Sequence, residues 1–418
     1  MSYVLQTYLN NEENIKSRFG CASLPTNYNV ISTLTNLKKL YLFGVENTGI
    51  NIIRNIPKSV EKLIIGGDGD PSYYFKLTQK NVNAISKLTN LKSLTFQFTE
   101  IADNVNYRKF KNLKKLTYLN LDMPFTYGQG SLFKYCNYLK ELVINFSSYN
   151  EKLLDTLGYL TTLERLSFEG TDFEDDASFS SLEKLTNLTS LEIFCYTSGH
   201  KNTISPNLFA LTKLKEFILR DCGTTIAAPL NKSLTWANLK NLEYLTIIDY
   251  EWKYLNYDYK NKVFDFTYLG DLPSLKEVYV INTGYSSIPE SIGNLKNLKI
   301  LDVSNNSIKT LPKSIGNLEK LDELDLFNNE LIALPDEIGN LKNLVKFEAS
   351  INEISSVLKS TSNLEKLEKL YLKFNNLTSL PDEIGNLKNL VEFDASNNKI
   401  SSLPESIENL ENLKIKRY

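Results

Sequence analysis

The sequence predicts an α/β solenoid. Short parallel strands stack rung upon rung into a concave sheet, and short helices, 3-10 turns and loops return the chain along a convex side. Three observations predict it. In the C-terminal third an apolar pattern starts afresh every 23 residues, at 298, 321, 344, 367 and 390. Within each period apolar and polar residues alternate, as in Leu298-Lys299-Ile300-Leu301-Asp302-Val303, which is the period-two signature of a strand with one buried face. Hydrophobic residues make up 42% of the 418-residue chain, so a core can be built, yet no run approaches the roughly 18 apolar residues of a membrane span.

The rungs read Leu298-Leu301-Val303-Asn306-Ile308, then Leu321-Leu324-Leu326-Asn329-Leu331, Leu344-Phe347-Ala349-Asn352-Ile354, Leu367-Leu370-Leu372-Asn375-Leu377 and Leu390-Phe393-Ala395-Asn398-Ile400. Four of them share a Leu-Pro pair, at Leu311-Pro312, Leu334-Pro335, Leu380-Pro381 and Leu403-Pro404; the rung after Ile354 has Val357-Leu358 instead. This LxxLxLxxNxL pattern resembles the leucine-rich repeat family, whose period is 20–29 residues. The LPxxIGNLxNL connection is similar to that of intracellular Ras-group-related and Ras-suppressor-like members. The resemblance implies a horseshoe-shaped solenoid that serves as a protein-binding scaffold, often in signalling.

Taken in order, residues 1–36 break the pattern and are expected to form an N-terminal cap with a half-rung near Leu24-Pro25. Residues 37–274 are irregular repeats starting at Leu37, Val60, Leu91, Leu116, Leu139, Leu163, Leu188, Leu214 and Leu242. Residues 275–418 are regular, from Leu275 to a last rung at Leu413, where Lys416 replaces a core leucine. A charge pointing inward on a final strand discourages edge-to-edge association, so this rung is expected to act as the closing cap.

Each part of a rung has a physical task. Leu301 and Val303 point inward and Asp302 outward. The ninth-position Asn both donates and accepts, so it can satisfy backbone groups where the chain leaves the strand, and stacked copies make a ladder. Pro312 pre-sets φ, Gly316 is expected to permit a turn, and Leu311, Ile315 and Leu318 fill the core. A single rung cannot bury this face, so neighbours share stability.

Composition narrows the function. Lys and Arg (47) nearly balance Asp and Glu (49), for a net charge of −2, which removes the argument for nucleic acid or an anionic membrane as partner. One histidine, His200, excludes multi-His metal sites. Cys21, Cys136, Cys195 and Cys222 show no paired spacing, so reduced thiols are expected rather than zinc or disulfides. Gly66-Gly67-Asp68-Gly69-Asp70 lacks the spacing of a calcium or phosphate loop and reads as a turn. No nucleophile, base and orienter occur together, so no catalytic residue, cofactor or metal is expected.

Recognition is then expected on outward strand positions. The central column runs Tyr41, Ile64, Thr95, Asn120, Val143, Ser167, Glu192, Ile218, Thr246, Tyr279, Asp302, Asp325, Glu348, Tyr371, Asp394 and Arg417. Its C-terminal part is acidic, with Glu323 and Glu392 alongside; like charges on adjacent strands repel, so they are either simply solvated or face a basic partner. Phe98, Phe146, Phe194, Phe327 and Phe374 fall at the edge of this face, as interface anchors or as rim cover. The long rung from 242 to 275 carries Trp252, Tyr254 and Tyr257, either on a loop that contacts the partner or in a larger local core on the convex side.

The N-terminus has no signal-peptide pattern. Asn-x-Ser/Thr matches at Asn145, Asn187, Asn231, Asn305 and Asn376 fit chance in an Asn-rich chain, and two of them would place glycans on the concave strands. The expectation is a cytoplasmic, non-catalytic scaffold that holds a basic protein partner. The alternative is a surface-exposed or secreted adhesin or virulence factor.

Overall fold

Strands form where the alternation begins. A computed structural model describes residues 14–18, 29–43, 50–66, 75–102, 104–122, 127–146, 156–171, 179–196, 203–204, 206–220, 225–226, 235–249 and 266–417. The chain forms two units, Met1–Leu211 and Thr212–Tyr418. In the first, the strands Lys39–Phe43, Lys62–Gly66, Ser93–Gln97, Tyr118–Asp122, Glu141–Phe146, Arg165–Thr171 and Ser190–Tyr196 pair in parallel, each with the next. Asn14–Arg18, within the stretch expected as a cap, pairs in parallel with Lys39–Phe43. In the second unit the parallel series runs Glu216–Arg220, Tyr244–Ile248, Glu277–Ile281, Ile300–Asp302, Glu323–Asp325, Lys346–Glu348, Lys369–Tyr371, Glu392–Asp394 and Ile415–Arg417.

The repeat spacing translates directly into register. Tyr41, Ile64, Thr95, Asn120, Val143, Ser167 and Glu192 are successive partners in the first unit. Ile218, Thr246, Tyr279, Asp302, Asp325, Glu348, Tyr371, Asp394 and Arg417 are successive partners in the second. Inward positions are fully buried, including Leu298, Leu301, Ile308, Ile315 and Leu318, each at 0–1% exposure. Burial of that kind contributes roughly 1.5–3 kcal/mol per side chain.

The return segments of the regular rungs are five-residue 3-10 turns, such as Lys313–Asn317 after Pro312 (φ −70, ψ 152). Proline supplies the extended residue before the turn, and Leu358 takes the same extended backbone in the rung that lacks it. Gly316 corrects the expectation of a turn glycine: among the described glycines only Gly284 has positive φ. A Cβ on Gly316 would instead lie 2.9 Å from the Cβ of Glu337 and closer still to its carbonyl oxygen, in the next rung. Gly316 is small because adjacent 3-10 turns touch through their backbones.

The asparagine ladder forms as the chemistry requires. Asn329 Nδ2 donates to Val303 O in the preceding rung at 3.0 Å and to Leu326 O in its own at 3.1 Å, while its Oδ1 accepts from Ile308 N at 3.0 Å. Asn352, Asn375 and Asn398 repeat the set one rung at a time. The residue before each of these is left-handed, which lets the chain swing off the strand and send the ninth side chain inward; Asn305, Asn328 and Asn397 take φ 55–57. A second ladder on the approach to the strands escapes the LxxLxLxxN template. Asn297, Asn343, Asn389 and Asn412 donate to Pro273, Glu319, Glu365 and Lys388 carbonyls of the preceding rung at 2.6–3.1 Å. Its sequence signal is the Asn that precedes the first leucine of these four rungs; in the rungs between, Lys320 and Lys366 hold that place and donate to Asn297 and Asn343 at 2.8 and 2.7 Å.

Candidate protein-interaction face

Just ahead of the strands, two glutamates are each flanked by lysines of the neighbouring rungs. Lys38 and Lys92 flank Glu61 at 3.0 and 2.6 Å, which holds its carboxyl down to about 2. Lys276 and Lys215 flank Glu243 at 2.5 and 3.7 Å. At the middle of the sheet in the second unit carboxylates repeat instead. Asp302, Asp325 and Glu348 are direct register partners on consecutive strands. Lys346 reaches Glu323 and Asp325, each at 3.7 Å, and Lys369 reaches Glu392 at 3.1 Å.

The carboxylates also have a structural task that spacing did not reveal. Asp302 accepts from Ser304 N at 2.9 Å, Asp325 from Phe327 N at 3.0 Å, and Glu348 from Ser350 N at 2.8 Å. Asp394 accepts from both Ser396 N and Ser396 Oγ, at 3.0 and 2.6 Å, and is buried at 8% exposure. Each thus satisfies the N–H two residues on, where the chain turns off the strand. Tyr371 has no carboxylate to offer, and there Lys373 N donates to Ser350 Oγ of the preceding rung at 3.1 Å.

Burial raises the Asp325 carboxyl to about 6, with the Asp302 and Glu348 charges adding to the rise and the Phe327 N–H and Lys346 opposing it. Glu348 is raised as well, chiefly by burial. Tyr279 and Tyr371 are half-buried, and their phenols, pushed up to about 12 first by burial, donate to Glu277 at 3.0 Å and to Glu392.

A stability consequence follows for Asp325. Its folded-state value lies above the ordinary 3.8, so the folded protein holds the proton more tightly. The cost of ionising it is absent below about pH 4, grows through the interval to pH 6, and is complete above. Asp325→Asn keeps an oxygen for Phe327 N and removes the charge. It should stabilise the protein by about 1–2 kcal/mol at pH 7.5, after allowance for its partial exposure, and leave stability unchanged near pH 3.5. Thermal melts at the two pH values check this; equal shifts at both would contradict it.

The aromatic edge divides. Phe374 and Phe98 are exposed at 48% and 39% with left-handed backbones, and Ile351 joins them at 38%. Phe327 and Phe194 are half-buried. Phe146 falls on a strand whose last side chain is outside the described residues, as do Trp252, Tyr254, Tyr257, His200, Cys21, Cys222, Gly67 to Asp70, the Leu24-Pro25 half-rung and the side chains of Cys195 and Lys416. Cys136 is a buried free thiol, raised to about 12 by burial. Among the described residues no three His, Cys, Asp or Glu side chains gather as metal ligands, and no helix is long and apolar enough to cross a membrane.

A rung-by-rung parallel sheet, 3-10 returns and a ninth-position Asn ladder define the class as a leucine-rich repeat protein. A leucine-rich repeat region model matches residues 233–379, and a leucine rich repeat model matches 365–415. A leucine-rich repeat protein of Leptospira interrogans is similar at 27% identity and TM-score 0.71, with 100% of this chain and 98% of that one covered. An internalin of Listeria monocytogenes shares the fold at 17% identity and TM-score 0.55, covering 88% of each. So does a chain of the Toll–Spatzle complex of Drosophila, at 16% identity and TM-score 0.57, covering 95% of this chain and 60% of that one. No curated protein matches. Residues 233–415 thus match leucine-rich repeat models, and the fold of the chain is that of a leucine-rich repeat protein.

Proposed function

We propose that this protein is a non-catalytic scaffold that holds a basic protein partner on the concave face of residues 275–418, in signalling or regulation. The observation that carries the reading is the run Asp302, Asp325 and Glu348 on three consecutive strands. At Glu61 and Glu243 lysines of the neighbouring rungs stand beside the carboxylate, whereas on this face three carboxylates stand together with Lys346 reaching Asp325 at 3.7 Å, and two of them have raised protonation equilibria. A Lys or Arg from outside would relieve that repulsion. Tyr279 and Tyr371 in the same column supply ring surface of the kind that anchors interfaces. Asp394, buried and tied to Ser396, contributes mainly to the fold.

A cytoplasmic location fits two of the Asn-x-Ser/Thr sites. Asn187 Nδ2 donates to Thr161 O at 2.9 Å and Asn305 Oδ1 accepts from Asn328 at 3.0 Å, so a glycan at either would crowd a hydrogen bond between neighbouring rungs. Cell fractionation with a protease-shielding assay tests it; recovery on the cell surface would favour the adhesin reading instead.

The binding test follows from the strand-end hydrogen bonds. Reversal to lysine would remove an oxygen that a main-chain N–H needs, so the suitable variant is Asp302→Asn/Asp325→Asn/Glu348→Gln, which keeps those acceptors. Affinity capture from the source cell should recover a partner with the wild type and lose it with this variant. Affinity should fall about 100-fold, most strongly at low salt. Equal capture by both proteins would remove the acidic column from the interface.

A further inference from the structure

The eighth position of a regular rung is left-handed whatever residue occupies it: Asn282 φ 60, Asn305 57, Asn328 55, Ile351 55, Phe374 54 and Asn397 57. Asparagine tolerates this conformation because its short amide bonds locally, whereas a β-branched or bulky side chain crowds the backbone. The main chain is the same in both cases. Ile351 N donates to Lys373 O at 2.8 Å and Phe374 N to Ser396 O at 3.0 Å, as Asn305 N does to Phe327 O at 2.7 Å and Asn328 N to Ser350 O at 2.9 Å. Only the side chains depart from the pattern, and they are exposed at 38% and 48%. On two neighbouring rungs the chain therefore places an apolar group where both backbone strain and water disfavour it. Asparagine, which meets neither objection, holds the rungs on either side. The Lys373 ammonium lies 4.9 Å from the centre of the Phe374 ring, but neither apolar side chain is taken into the core, and residues kept in strained conformations concentrate at functional sites.

The surroundings say what such an anchor would meet. Glu348 lies three residues before Ile351 on the same rung, and its register partner is Asp325. Three residues of extended chain span about 10 Å, so a bound extended segment with an apolar residue over Ile351 and Phe374 would carry its residue three places away to those carboxylates. We propose that Ile351 and Phe374 are the apolar anchor of a docking site for an extended segment of a partner protein, in which a large apolar side chain lies three residues from a Lys or Arg. The proposal rests on the scaffold reading and specifies where on that face the partner seats and what it carries.

The test uses the full chain and fluorescein-labelled synthetic dodecapeptides. These pair Leu, Ile or Phe with Lys or Arg at a three-residue spacing, with Glu-for-Lys and Ser-for-Leu controls, and binding is read by anisotropy. Wild type should bind the paired peptides and neither control. Ile351→Asn/Phe374→Asn installs the residue used by the neighbouring rungs, so it should melt a few degrees higher and yet lose affinity at least about tenfold. A variant that melts higher and binds as wild type overturns the anchor, and so does the absence of any peptide bound below about 1 mM. Loss of binding in Asp302→Asn/Asp325→Asn/Glu348→Gln together with full binding in the double-Asn variant would overturn the anchor and leave the acidic-face reading standing. Full binding in both variants would overturn both. Wild-type self-association in sedimentation, abolished in the double-Asn variant, would assign the rim to a second copy of the chain and overturn the segment.

Discussion

Asn329→Ala should cost about 3–5 kcal/mol, because each buried group left without a partner costs roughly 1–3 kcal/mol. The alanine removes an acceptor from Ile308 N and donors from the Val303 and Leu326 carbonyls, all beside fully buried side chains such as Ile308 and Leu326 at 0%. Water cannot repair the loss without opening two rungs. Asn412 is the matched control: it also donates across rungs, to Lys388 O at 2.9 Å, but at an exposed position. Asn412→Ala should stay within about 0.5 kcal/mol. Urea unfolding measures both, and hydrogen exchange at the Ile308 amide localises the effect. Equal costs for the two variants would contradict the ladder's role.

Gly316→Val should destabilise by at least about 3 kcal/mol, since overpacking a close contact costs roughly 1–3 kcal/mol and a branched side chain here meets backbone rather than a movable tip. The groups in the way are the Glu337 carbonyl and Cβ of the next 3-10 turn. Spreading those turns would pull Ile315 and Ile338, both at 0% exposure, away from a shared core. Gly316→Ala should show a smaller loss in the same direction. If Gly316 served a turn by backbone freedom, Gly316→Asn, which tolerates positive φ, would cost less than Gly316→Ala. The opposite order in urea midpoint, with cost rising with side-chain size, marks close approach.

Several features were legible before any coordinates. The 23-residue period named the strands, and the alternation within it assigned Asp302 outward and Leu301 inward. Equal spacing then placed Tyr279, Asp302, Asp325, Glu348, Tyr371 and Asp394 as successive neighbours, which is how the strands pair. Even the looser rung at Val60 keeps its register, with Ile64 opposite Thr95. The ladder was legible for the same reason: an amide at a fixed ninth position has one chemical use where a chain leaves a strand.

Other features belong to the tertiary structure alone. That Asp302 and Asp325 bind the N–H two residues ahead, and that Asp394 is buried while doing so, depends on how tightly each strand end curls. That Gly316 is small for its neighbour's sake depends on the distance between rungs. That Ile351 and Phe374 occupy a conformation suited to asparagine depends on a backbone path imposed by the rungs around them. The division has one physical cause. A repeating sequence determines which residues recur and therefore which ones meet, because strand period and repeat length are local properties of the chain. How closely they meet, and at what cost in strain or charge, is settled only when one rung is pressed against the next.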